Sequence, residues 1–177
     1  MTPEEYKQLK AFARQDGALL SLIWIAAFVC YLQGLTNPLL GMAAVVLALW
    51  SPFYAAGRLR SFRDNARDGV ITFGRGYAFT VLTFFYAGLL LAVALFVYFT
   101  FIDDGYLIGQ FMKVVNSEEG RQVMKIYGVH DEVNESLKAF SEMRPIDNAL
   151  NMLTINISMG FLLGLPIAAV MRREVRG

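Results

Sequence analysis

The side chains that could carry chemistry in this 177-residue chain fall into three groups, and the first surrounds its single histidine. His130, Asp131 and Glu132 are consecutive, and an imidazole beside carboxylates can hold a metal ion or move protons. Zinc sites, however, repeat His or Cys at set spacings, and the one cysteine, Cys30, is distant in sequence. The pattern favours a solvated helix start, so we expect no metal, no cofactor and no catalytic residue.

The second group is a pair of neighbouring carboxylates, Asp103 and Asp104. Such a pair can bind a cation or share a proton, so an enzyme that uses Asp103, Asp104 or His130 is one hypothesis. The pair directly follows a long uncharged stretch, which favours a membrane boundary as its meaning. The sequence contains no P-loop, no nucleophile elbow and no glycine-rich nucleotide motif.

The third group is a cluster of arginines between two uncharged stretches. Arginine binds phosphate through two parallel hydrogen bonds, and each basic residue near an anionic bilayer contributes about 1 kcal/mol. Binding of an anionic lipid head group or of a partner's acidic patch is therefore one interpretation of this cluster, and charge that only orients the chain is the favoured alternative. Nucleic acid is not expected, because the arginines flank apolar segments. The members of this arginine cluster are Arg58, Arg60, Arg63, Arg67 and Arg75.

The elements that must position these groups are four long stretches without Asp, Glu, Lys or Arg. The chain is 56% hydrophobic and only 18% charged, outside the soluble globular range. A spanning helix needs about 20 mostly apolar residues, which each stretch reaches or approaches. We therefore predict an all-α integral membrane protein, a single membrane domain whose four transmembrane helices cover residues 17–35, 38–56, 77–102 and 149–171.

The charges between the stretches predict an orientation. Residues 1–16, 57–76 and 172–177 must share one side, and they hold 11 of the 16 Lys and Arg residues. The positive-inside rule places that side, with both termini, in the cytoplasm. Thr2, Pro3 and Glu5 form a helix-start signature, which predicts a cytoplasmic amphipathic helix over 3–16, and 57–76 is predicted to be a cytoplasmic arginine-rich loop.

Residues 103–148 then form a short extracytoplasmic helical insertion between the third and fourth spans. Three amphipathic helices are predicted there: one after Gly105, one capped by Ser117 and ended at Gly128, and one capped by Asp131. They could lie on the bilayer, cap the helix bundle or dock to a partner. Three short helices cannot bury much of a hydrophobic core by themselves, which favours a position on the bilayer surface.

The fourth span carries two patterned faces at helical spacing. Membrane helices associate through small residues and polar contacts, so both faces predict neighbours, and packing within a four-helix bundle is favoured over a dimer face or a polar substrate path. One is a polar packing face of Asn151, Thr154 and Ser158. The other, a packing or oligomer face, is Asn156, Gly160, Gly164 and Ala168.

The region around the arginine cluster resembles a known family. The basic segment 58–64, the run Gly69-Val70-Ile71-Thr72-Phe73-Gly74-Arg75-Gly76-Tyr77-Ala78-Phe79 and a span ending in Phe101-Ile102-Asp103 are similar to the DUF4199 family of Bacteroidetes membrane proteins. The likeness covers most of the chain and implies a bacterial inner-membrane location, multi-pass. The family has no assigned activity and no catalytic residues, and the genes near its members imply a polyprenyl-phosphate sugar transferase as a partner.

Two functions of different classes remain open from the sequence. The first is a non-catalytic inner-membrane accessory or scaffold protein that anchors a lipid-linked glycosyltransferase. The second is a small transporter, channel or lipid-handling protein, assembled as a homo-oligomer through Gly160 and Gly164. The four stretches lack the ionisable groups that couple proton or ion transport, which counts against a secondary transporter.

Overall fold

The computed structural model of the protein describes residues 1–173; residues 174–177, including the Arg176 counted above, lie outside the described part. Residues 1–173 form seven helices and no strand, and four of the helices are long and apolar enough to span a membrane. The predicted all-α fold with four candidate spans is thus confirmed. The helices are α1 Pro3–Gly34, α2 Pro38–Ala66, α3 Phe73–Phe101, α4 Tyr106–Asn116, α5 Glu118–Tyr127, α6 His130–Glu142 and α7 Pro145–Met171.

The chain divides into two compact units. The first unit contains Met1–Ala94 and the chain from Leu150 onward, so it holds α1, α2 and most of α3 and α7. The second unit is Leu95–Ala149, which holds the end of α3, the three short helices and the start of α7.

Helix α1 is continuous where the sequence predicted a separate surface helix over 3–16 followed by a span. Its start is as predicted, since Thr2 and Glu5 form a capping box with Pro3 in the first turn. Gly17, at the expected junction, does not end the helix: a Cβ there would lie 2.7 Å from the Thr83 carbonyl oxygen, so this glycine lets α3 approach closely. Leu9 is buried, which shows that the amphipathic segment packs within the first unit.

Helix α2 also extends further than predicted and takes in half of the expected 57–76 loop. Ala55, Leu59 and Phe62 are buried and lie one above the other at helical spacing. The Phe62 ring is 5.2 Å from that of Phe12 on α1 and 4.9 Å from that of Phe79 on α3. Burial of this apolar face explains why the helix continues to Ala66, leaving only residues 67–72 as a connection.

Helices α1 and α2 form a tight antiparallel hairpin, since only Leu35, Thr36 and Asn37 connect them. The Asn37 side chain accepts a hydrogen bond from the Leu39 amide, which caps α2. Deeper in the hairpin, the Trp24 indole donates to the Ser51 hydroxyl at 2.6 Å. Such a hydrogen bond between helices is one of the contacts that hold helices together in lipid.

The second unit contains the three predicted short helices, with one correction. The Ser117 hydroxyl accepts from the Gly120 amide, and Gly128 ends α5 in the left-handed conformation at φ 66°, both as predicted. The predicted Asp131 cap is wrong, because α6 begins at His130 and Val129 occupies the capping position. Asp131 instead stands in the first turn, where a carboxylate favours the positive end of the helix dipole.

Two glycines at the top of the α1–α2 hairpin offer a test of its packing. A Cβ on Gly34 would lie 2.5 Å from the Gly41 Cα, whereas a Cβ on Gly41 would meet nothing nearer than 3.6 Å. Gly34→Ala should therefore lower the free energy of unfolding by about 1–3 kcal/mol through overpacking. Gly41→Ala is the matched control and should be neutral or slightly stabilising, because alanine favours helix. Unfolding of the purified protein in detergent measures both; equal effects would contradict the geometry.

Candidate functional site at the basic end of the helices

The arginine cluster is carried on ordered elements rather than on a long loop. Arg58, Arg60 and Arg63 lie on the last turns of α2, Arg67 is its C-terminal cap, and Arg75 is in the first turn of α3. The connection between the helices turns through the left-handed residues Asp68 (φ 50°) and Gly69 (φ 78°). The five guanidinium groups therefore start from fixed backbone positions at the same end of the first unit.

Arg58 pairs with a buried carboxylate on α1. Its Nε and Nη2 atoms both lie 2.6 Å from Oδ1 of Asp16, a residue only 1% exposed. A buried carboxylate without a counter-charge would be very costly, so this contact neutralises Asp16 and joins α1 to α2. The second oxygen of Asp16 and the hydroxyl of Tyr54 are also buried, and neither has a hydrogen-bond partner among residues 1–173.

Glu5 on α1 accepts hydrogen bonds from two further arginines. Arg67 Nη2 lies 2.8 Å from Oε1, and Arg75 Nη2 lies 2.6 Å from Oε2. The Thr2 amide donates to Oε2 as well, at 2.8 Å. The bond from the Thr2 amide, followed by that from Arg67, lowers the pKa of Glu5 from 4.5 to about 2. One side chain thus caps α1 and attaches it to both ends of the α2–α3 connection.

Arg63 connects α2 to the end of α7. Its Nη1 donates to the Met171 carbonyl at 2.9 Å, and its Nε lies 2.7 Å from Asp64 Oδ1, which lowers the pKa of the Asp64 carboxyl. Next to this contact, the backbones of Ile71 and Arg173 exchange two hydrogen bonds of 2.9 and 3.0 Å. The connection between α2 and α3 is therefore bound to the chain beyond α7.

Arg60 differs from the other four members of the arginine cluster. Its side chain is 70% exposed, and its contact with Asp64 is 3.6 Å, longer than a good hydrogen bond. The other four guanidiniums donate to acceptors of the same chain. The cluster predicted for anionic ligands is thus mostly engaged in holding α1, α2, α3 and α7 together, with Arg60 as its most accessible member.

The predicted glycine face of α7 packs against α3. A Cβ on Gly160 would lie 2.7 Å from the Phe84 Cβ, and one on Gly164 would lie 3.1 Å from the Tyr77 ring. The same alignment sets Asn156 against Gly88 of α3, and Ala168 is fully buried next to Gly76. The small residues of this face therefore serve close backbone approach within the chain.

The polar face of α7 is exposed on the outside of the first unit. Asn151, Thr154 and Ser158 are all exposed. Thr154 donates to the Leu150 carbonyl and Ser158 to the Thr154 carbonyl, each at 2.9 Å, so both hydroxyls are satisfied by their own helix. A polar stripe on a candidate span therefore remains accessible to a neighbouring helix.

The acidic and histidine groups lie in the second unit and do not converge. Asp103 accepts from the Tyr98 hydroxyl at 2.8 Å and from the Leu107 amide at 3.1 Å, which directs the chain from α3 into α4. Asp104 is exposed and has a positive φ of 41°. The exposed His130 ring lies 3.0 Å from the Asn134 amide nitrogen. Within residues 1–173, no three His, Cys, Asp or Glu side chains are grouped as metal ligands.

Sequence reasoning missed the two acids of α1 that engage the arginines. Asp16 precedes the first uncharged stretch and Arg58 follows the second. A hairpin brings the start of its first helix next to the end of its second, so this ion pair could have been predicted from the sequence. Leu59 and Phe62 continue the apolar spacing of Ala55, which also pointed to a longer α2. Glu5 had only its capping signature, and nothing in the sequence links it to Arg67 or Arg75.

The fold and this site define a multi-pass helical membrane protein whose basic end is closed by ion pairs between its helices. The chain belongs to the DUF4199 family: the family model described as "Protein of unknown function (DUF4199)" matches residues 15–173. The match contains Asp16 and the whole arginine cluster and begins after Glu5. Among curated proteins and among solved structures, nothing matches the chain.

The buried ion pair predicts an asymmetric response to mutation. Arg58→Gln should leave Asp16 without its counter-charge and destabilise the protein by about 2–4 kcal/mol, somewhat below a fully buried pair because the Arg58 side chain is 35% exposed. The double variant Asp16→Asn/Arg58→Gln should recover more than half of that loss. Unfolding in detergent is the measurement, with Arg60→Gln as an exposed control. A double variant less stable than Arg58→Gln would contradict the interpretation.

The Glu5 contacts predict a dependence of stability on pH. Because its folded pKa of about 2 lies below the ordinary 4.5, these contacts stabilise the fold above pH 4.5 and are lost as the pH falls toward 2. From about pH 7 to about pH 3, the unfolding temperature of the wild type should fall more than that of Glu5→Gln. Glu4→Gln, which changes the exposed neighbour, should follow the wild type. Parallel curves for wild type and Glu5→Gln would refute the prediction.

Proposed function

We propose that the protein is a non-catalytic accessory or scaffold protein of the bacterial inner membrane, with its basic end and both termini in the cytoplasm and residues 103–148 outside. The charge partition supports this orientation, since 11 of the 16 basic residues lie in the segments 1–16, 57–76 and 172–177, which four spans would put on one side. At that end, four of the five clustered arginines join helices of the same chain. These contacts hold the spans in a fixed arrangement, and a scaffold requires such rigidity.

The exposed polar face of α7 is the observation that carries the proposal. In lipid, helices do not gain from hiding apolar surface, so association depends on small residues that allow close approach and on hydrogen bonds. Thr154 and Ser158 are small, polar and exposed on a candidate span, while the glycine face is already packed on α3. The exposed face of Thr154 and Ser158 therefore suits a spanning helix of another protein, whose polar side chains can form hydrogen bonds with the two hydroxyls.

The partner expected from the family resemblance is a lipid-linked, polyprenyl-phosphate glycosyltransferase. Arg60, the most exposed member of the arginine cluster, offers this partner a second contact at the cytoplasmic surface. The competing function, a small oligomeric transporter, channel or lipid-handling protein, uses the same polar face between copies of this chain. The two functions therefore differ in what packs on the polar face of α7, either a different protein or a second copy of this chain.

Site-specific photo-crosslinking in native membranes tests the proposal. A photoreactive residue at Ser158 should crosslink to a different membrane protein, whereas the same residue at Val46, exposed on α2, should give only background. Thr154→Leu/Ser158→Leu should reduce co-purification of that protein by about tenfold or more, because the larger side chains block close approach. A crosslink between two copies of this chain would favour the oligomeric alternative. Background labelling at Ser158 would overturn both.

A further inference from the structure

Two arginines from different elements converge on one carboxylate at the basic end. Arg67 closes α2 and Arg75 opens α3, and each directs its Nη2 to a different oxygen of Glu5, at 2.8 and 2.6 Å. The three side chains are partly exposed, at 19% for Arg67 and 25% for Arg75 and Glu5. The pair of guanidiniums therefore forms a cradle that opens to the surface and holds a carboxylate of the same chain.

Glu5 satisfies this cradle incompletely. Two guanidiniums bring two positive charges, and Glu5 supplies one negative charge. Within residues 1–173, the buried Nε of Arg67 also has no hydrogen-bond partner, so one of the donors of this guanidinium remains unused. A phosphomonoester carries nearly two negative charges and three acceptor oxygens, which match the charge and the spare donor better than a planar carboxylate does.

We propose that Arg67 and Arg75 form a binding site for a phosphomonoester group, and that Glu5 occupies it in this structure as an internal competitor. Displacement of Glu5 involves only the first turn of α1, where Met1, Thr2, Pro3 and Glu4 are exposed. Terminal helical turns open at little free-energy cost, and the buried Leu9 can stay in place. Access to the arginines is thus controlled by the first turn of α1.

The nearby acids define which ligands fit. Asp68 and Glu4 are exposed and add negative charge around the cradle, while Asp64 is engaged by Arg63. A diffuse attraction for any anionic surface is therefore weakened, and a ligand must make direct bonds to the two guanidiniums. A phosphomonoester can do so from a lipid head group or in solution, and a phosphodiester, with one charge fewer, fits less well.

The experiment uses the full chain in detergent and follows its unfolding temperature during titration. One arm adds phosphatidic acid, a lipid monoester, to the micelles; a second adds inorganic phosphate; a third adds phosphatidylglycerol, a lipid diester. Wild type should be stabilised by phosphatidic acid more than by phosphatidylglycerol. Stabilisation by phosphatidic acid alone identifies a lipid head group as the ligand, and stabilisation by inorganic phosphate as well identifies the phosphate group in either form.

Matched variants decide the assignment. Glu5→Gln removes the competing charge but keeps the capping box, in which glutamine is also accepted, and should bind phosphatidic acid about tenfold more tightly than wild type. Arg67→Gln/Arg75→Gln should lose binding, whereas Lys7→Gln/Lys10→Gln, with the same change in net charge on the exposed side of α1, should not. If the double arginine variant does not fold, the Glu5→Gln comparison alone remains decisive. Affinity unchanged by Glu5→Gln, or retained without the two arginines, overturns the proposal.

Discussion

Helices in a bilayer gain nothing from hiding apolar surface, so this protein depends on close backbone contact and a few polar links. The contacts are visible where Gly17 meets Thr83 on α3 and where Gly160 meets Phe84. The polar links are concentrated at the charged end, where Asp16 and Glu5 bind arginines of α2 and α3. Without these acids, α1 would be attached to the other helices mainly by packing.

The charges from which the positive-inside rule predicts an orientation also hold the helices together. Positive residues beside spans are usually explained by insertion alone, and the arginine cluster is the main basis of the predicted orientation. In the folded protein, however, Arg58 neutralises a buried carboxylate and Arg63 binds the last carbonyl of α7. Orientation and packing are therefore not competing explanations for these residues, because a charge that stays on one side during insertion is correctly placed to pair afterward.

The spans and the short helices of the second unit could be predicted because their signals are local. The length of an uncharged stretch predicts a span. The Ser117 hydroxyl, which caps a helix, and the left-handed backbone of Gly128, which ends it, act within one helical turn. The boundaries of α1 and α2 were missed because they depend on tertiary burial: Leu9, Leu59 and Phe62 extend the core beyond the uncharged stretches. If a membrane helix is assumed to end at its first charged residue, the buried apolar residues beyond that charge are left out of the helix.

The candidate sites were harder to predict, because a sequence shows which residues are charged and not which are paired. The arginine cluster read as five equivalent groups, yet the structure separates Arg60, which is exposed, from four that bind acceptors in the chain. On α7, likewise, two similar faces have opposite surroundings, one against α3 and one exposed.

The pairing at the charged end also attaches α1 at two separate points. Glu5 and Asp16 lie on one continuous helix, and that helix packs on both α2 and α3. Loss of the Glu5 contacts would free only its first turn, since Asp16 remains bound to Arg58 at 2.6 Å further along. An anion that replaces Glu5 would therefore alter the surface at the start of α1 and leave the packing of the spans intact. In the proposed scaffold, the surface offered to a partner could thus change without loosening the helices that anchor it.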